Sequence, residues 1–158
     1  MNLIHKFNLA QRVLKSLVIN QVPNYAIVYV DGRCNMHCGF CIHAAMDARN
    51  SGRITPSDWG GVIISSGVPR VSIKSNGFYV NRIKEYIPTL IERHPNTEFT
   101  LSISLDGPKL IHDKVRNFKG AYDQVVNTVN EMEKYRKKKN FFLRLASVLT
   151  ADNKDYLP

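Results

Sequence analysis

The chain has 158 residues, 44% of them apolar and 22% charged, which suits one domain with a hydrophobic core and excludes the composition of a disordered segment. Its net charge is +9, but the basic residues are spread along the chain except in the run 134–139 (KYRKKK), which reads as a solvated helix end rather than a nucleic-acid patch. The apolar stretches fall well short of the ~20 residues a helix needs to cross a bilayer, and no signal-peptide pattern is present. A cytoplasmic protein with no specific nucleic-acid or membrane partner is expected.

Leu3, Phe7, Ala10, Leu14 and Leu17 recur at helical spacing, so residues 1–22 are expected to form an amphipathic helical segment ahead of a domain at 23–158. The β-branched and aromatic run 25–30 (YAIVYV), closed by Asp31-Gly32, predicts the first strand, and all three cysteines follow it at once. Thr55-Pro56-Ser57-Asp58 has the order of a helix start, with Thr55 as cap and Pro56 in the first position, for a short helix. Residues 68–74 predict the second strand, ending at Ser75-Asn76-Gly77.

Ile83, Tyr86, Ile87, Leu90 and Ile91 mark the next helix, which Pro88 interrupts. Residues 99–105 alternate as a third strand and stop at Asp106-Gly107-Pro108. Tyr122, Val125, Val126, Val129 and Met132 mark a further helix, with Glu133 and Lys137 spaced as an ion pair on its polar side, and 141–149 predicts the fourth strand. This alternation implies an α/β fold with a mainly parallel sheet. Four strands cannot close an eight-stranded barrel, so the expected architecture is a partial (βα)n barrel, a curved open sheet of about four strands.

Cys34, Cys38 and Cys41 are the chain's three cysteines, spaced C-x3-C-x2-C within eight residues. With none elsewhere to pair with them, structural disulfides are not expected, and a tight odd set points to metal or redox chemistry. Three thiolates suit three corners of a four-iron cluster and would leave one iron open to a small molecule. A structural zinc site completed by His37 or His43 is the alternative that spacing leaves open. The position at a strand end agrees with the open-iron cluster, since α/β folds build their sites at the C-terminal ends of parallel strands.

With Phe40 at the aromatic position, the segment from Cys34 to Cys41 resembles the C-x3-C-x-aromatic-C cluster motif of the radical S-adenosylmethionine superfamily. Ser75-Asn76-Gly77, Ser102 to Pro108 (SISLDGP), His112-Asp113, Arg116 and Val148 to Asn153 (VLTADN) resemble strand endings of its branch that contains the peptide-modifying, SPASM-type and molybdopterin-synthesis enzymes. The resemblance implies a [4Fe–4S] cluster on Cys34, Cys38 and Cys41. It further implies S-adenosylmethionine bound by Ser104 and Arg116, with the backbone at Phe40 near the adenine.

The implied activity is reductive cleavage of S-adenosylmethionine to a 5′-deoxyadenosyl radical, which takes a hydrogen from a small-molecule or peptide substrate. A reductant such as flavodoxin or ferredoxin is the implied partner. The likeness covers about residues 25–153, and the family's glycine-rich GGEP-type segment and sixth strand have no counterpart, so a truncated core is expected. The alternative expectation is a non-catalytic iron–sulfur or zinc module acting through a protein partner.

Overall fold

A computed structural model describes Gln11, Leu14 and residues 25–28, 34–41 and 67–156. Gln11 and Leu14 are helical. The rest of the expected segment 1–22, the expected helix start at Thr55 and His43 lie outside the described residues. In chain order the elements are β1 (Ala26–Val28), β2 (Arg70–Ser75), α1 (Val80–Arg93), β3 (Glu98–Ser104), α2 (Lys109–Arg116), α3 (Ala121–Glu133) and β4 (Phe141–Ala146).

β2, β3 and β4 make a parallel open sheet, and β1 pairs in parallel with the outer edge of β2 over three positions. The α/β class read from the alternation of strands and helices is therefore that of the molecule. Register places Val71 opposite Phe99 and Phe99 opposite Phe141, and one step on Ile73, Leu101 and Leu143 align. These side chains share one face and pack with Ile87 and Ile91 of α1 and Val125 and Met132 of α3. Burying a side chain the size of Phe99, Leu101 or Ile103 contributes about 1.5–3 kcal/mol each, so this layer carries the fold.

α1 runs through Pro88 without a break, although proline has no N–H to give the carbonyl one turn back. Its C-terminal end is tied to the sheet by Asn140, whose amide donates to the carbonyls of Ile91, His94 and Thr97 at 3.0, 3.2 and 3.3 Å.

Three details depart from the sequence expectation. A separate helix, α2, stands between β3 and α3. β4 ends at Ala146 rather than at residue 149, because the Asp106 carboxylate accepts the Val148 N–H and bends the chain out of the ladder. Glu133 pairs with Arg136 at 3.3 Å and not with Lys137, since α3 stops at Glu133 and the basic run continues as a turn. Within that run Lys134 also meets Glu131 at 2.8 Å, and Lys138 meets Glu92 at 4.0 Å. Among the described residues no helix is long and apolar enough to cross a membrane.

Candidate metal centre

The cysteine loop lies at the C-terminal side of the sheet, against the end of β2 and the junction of α2 with α3. Met36 and Cys38, 3% and 4% exposed, pack on the fully buried Ala121 that opens α3, and Cys41, Phe78 and Phe118 close this small cluster. Apolar burial thus pins the middle of the loop. A turn closed by the Cys41 N–H donating to the Cys38 carbonyl at 3.1 Å brings the last cysteine back towards the second. All three thiols are free, Cys34 exposed, Cys38 buried and Cys41 half-buried.

Two residues from elsewhere in the chain reach the sulfurs. Asn76, at the end of β2, donates from Nδ2 to Asn35 Oδ1 at 2.8 Å and to Cys34 Sγ at 3.5 Å, while its own Oδ1 accepts the Phe78 N–H at 3.1 Å. Arg116, the last residue of α2, holds Nη1 4.0 Å from Cys38 Sγ, and its carbonyl accepts the Cys38 thiol at 3.7 Å. The guanidinium also lies over the Phe40 ring, 5.5 Å from its centroid, a cation–π distance.

Arg116 is held by Asp106. Its Nε donates to Asp106 Oδ2, in an ion pair whose carboxylate has no exposed surface. Asp106 is satisfied on every side: Oδ1 accepts the Val148 N–H at 3.0 Å, its N–H donates to His112 Nδ1 at 3.0 Å, and its carbonyl accepts from Asn153 Nδ2 at 3.1 Å. A buried pair of this kind is stable only when the remaining lone pairs are satisfied, and removing one partner costs about 3–5 kcal/mol. Asn153 itself bridges to the Val148 carbonyl at 2.8 Å and accepts the Thr150 N–H at 2.7 Å, strapping the exit of β4 to the exit of β3.

Burial pushes the Cys38 thiol above its ordinary range. The Arg116 guanidinium beside it, as charge and as donor, pulls in the other direction, and the neighbouring charges of Cys34 and Cys41 add to the rise. Loss of the Cys38 proton, which burial opposes, would gain from a bound cation.

Of the residues singled out in the sequence, Cys38, Phe40 and Arg116 are brought together, and Cys34 is joined to them through the loop. Ser104 ends β3 opposite Ala146, half-buried and on the sheet face away from α1 and α3. His37 is exposed. His112 and Asp113 serve the backbone: His112 accepts from Asp106, and the Asp113 carboxylate takes the N–H groups of Gly120 and Tyr122 at 2.7 and 2.8 Å, capping α3 from outside it.

In the sequence Asn76 and Asp106 were visible as turn residues and Asn153 as the end of a strand exit, each within a segment that carries the resemblance and none with a role of its own. Their contacts to Cys34, Arg116 and the β4 exit come from a tertiary arrangement that turn chemistry does not encode. Among the described residues no three His, Cys, Asp or Glu side chains converge on a point where one metal ion would sit. The chain matches no protein-family model and is significantly similar to no curated protein.

Proposed function

We propose that this chain binds a [4Fe–4S] cluster through Cys34, Cys38 and Cys41 and, with S-adenosylmethionine on the open iron, carries out radical chemistry of the radical S-adenosylmethionine type. The observation that carries this reading is the placement of three free cysteines, spaced C-x3-C-x2-C, on a loop held at the C-terminal side of a parallel sheet, with side-chain donors on two of the three sulfurs. A cluster of this kind spreads its three thiolates around a cube instead of gathering them on one ion, and hydrogen bonds to its sulfurs adjust its potential. The donor set fits the group.

In this reading the described sheet is part of a curved partial (βα)n barrel of about four strands, acting in the cytoplasm with an electron donor such as flavodoxin or ferredoxin. When bound, the cluster would supply the electron that splits S-adenosylmethionine. The protein's own residues do the rest. Met36 and Ala121 hold the loop in place, Asn76 and Arg116 donate to Cys34 and Cys38, and Asp106 keeps the guanidinium aimed. Ser104 and the free edge of the Arg116 guanidinium are the groups proposed to meet the carboxylate or ribose of S-adenosylmethionine, with the backbone at Phe40 beside the adenine.

Anaerobic reconstitution tests the cluster: about four iron and four sulfide per chain are expected, and Cys38→Ala should lose both. Formation of 5′-deoxyadenosine under reducing conditions tests the chemistry. The absent GGEP-type segment favours a second reading, a non-catalytic iron–sulfur or zinc module acting through a protein partner. That reading predicts bound metal without 5′-deoxyadenosine.

A further inference from the structure

Strands of a parallel sheet covered on both faces normally read as continuous apolar runs. β2 and β3 alternate instead, and β4 breaks its apolar run at Arg144. Val71, Phe99, Leu101, Ile103 and Phe141 go to the helices, while Ser72, Lys74, Thr100, Ser102 and Arg144 lie on the other side, with Phe142 opposite Thr100 as the apolar member of that face. On this face Ser72 and Ser102 are buried, while the cations Lys74 and Arg144 are exposed to solvent.

Charge is distributed unevenly along that face. At its N-terminal end Arg70 stands opposite Glu98 and pairs with it at 4.0 Å. Towards the C-terminal end one register row holds Lys74 opposite Ser102 and Ser102 opposite Arg144. Lys74 Nζ donates to Ser102 Oγ at 3.4 Å, Ser102 is 5% exposed, and both cations are exposed. Among the described residues neither Lys74 nor Arg144 has an acidic partner. The row is two residues before Asn76, the residue that touches Cys34, which at strand rise is about 7 Å along β2.

We propose that Lys74, Ser102 and Arg144 form a binding site for an oxyanion, a carboxylate or phosphate carried by the substrate. Arg144 brings a planar fork, Lys74 a mobile point charge, and the Ser102 hydroxyl a short-range donor between them, a set that complements an anion's oxygens and, among the described residues, meets no acidic side chain. The site rests on the proposed function only for calling its occupant a substrate. Anion binding itself requires no cluster.

The experiment is an NMR titration of the isotopically labelled full chain, without added metal and at low salt, with inorganic phosphate and separately with succinate. The expected result is saturable binding of one or both anions, with the largest amide shifts at Lys74, Ser102 and Arg144. The Lys74→Met/Arg144→Met double variant keeps the aliphatic stems and, altering two exposed residues, the wild-type melting temperature. It should bind at least about tenfold more weakly.

No saturable binding, or equal affinity in the variant, would overturn the proposal. Equilibrium dialysis of S-adenosylmethionine against the reconstituted protein separates the sources of the carboxylate. Binding unchanged in the double variant supports a substrate site, and binding lost in the variant assigns the row to the cofactor and overturns it. Failure of the reconstituted wild type to bind S-adenosylmethionine counts against the proposed function and leaves the anion titration to stand by itself.

Discussion

His112 is fully buried, and its Nδ1 accepts the Asp106 N–H, so the proton of the neutral ring sits on Nε2. Burial, and after it the nearby Arg116 charge, lower its pKa below the ordinary 6.5, against weaker opposing pulls from Asp106 and Asp113. The folded state therefore prefers the neutral ring, and protonation at Nδ1 would abolish the acceptor that Asp106 uses. Because the unfolded chain takes up this proton first, the contribution of His112 to stability is complete above about pH 6.5 and is lost as pH falls below it. Urea unfolding at a series of pH values should show stability declining from about pH 6.5 towards 5, with a shallower slope in His112→Asn, whose amide oxygen can take over the acceptor role. His94, also lowered by burial, leaves part of the slope in the variant. A sequence reading could place His112 after a strand-end turn but could not distinguish a cofactor contact from a backbone acceptor. The same holds for Arg116, whose partner Asp106 is ten residues away and was visible as part of a turn without a role of its own.

At the scale of elements, the strands and the two longer helices were legible because apolar periodicity runs the length of each. α2 was not. It has eight residues, no side-chain cap, and an exposed Leu110 beside its buried Val115, so too few positions repeat to signal a helix. The turn from β2 into α1 shows how one element sets another. Gly77 has φ of +73°, its carbonyl accepts the Thr128 hydroxyl of α3 at 2.6 Å, and a Cβ there would stand 2.7 Å from Ile103 Cγ2 and 3.1 Å from Val125 Cγ2. Gly77→Ala combines a left-handed backbone with a clash against the core layer, for an expected loss of about 2–4 kcal/mol in chemical denaturation. Since Asn76 is the preceding residue, the variant should also load less iron than wild type under identical reconstitution. A loss of stability with full iron loading would show that the turn and the cysteine loop are independent.

At the scale of the whole molecule, the cysteine loop joins parts of the chain that are far apart in sequence. Cys34 meets Asn76 across 42 residues and Cys38 meets Arg116 across 78, and the loop's buried residues seat on the start of α3. The apolar contribution of that seat is small beside the main core, which lies between the sheet and α1 and α3. A group bound by all three cysteines would add a constraint present only in the folded chain, so its binding free energy would appear as stability. At free ligand one hundred times its dissociation constant that is about 2.7 kcal/mol, on the order of 5–10 °C in melting temperature for a chain of this size. Anaerobic melts should therefore place the reconstituted protein above the chelator-treated protein by roughly that interval. The gap should close in Cys38→Ala, where the buried ligand is lost, and persist in His37→Ala, since His37 is exposed and outside the proposed donor set. Closure of the gap in His37→Ala as well would make the histidine a ligand and favour the zinc reading, because a Cys3His set has the four donors that tetrahedral zinc takes.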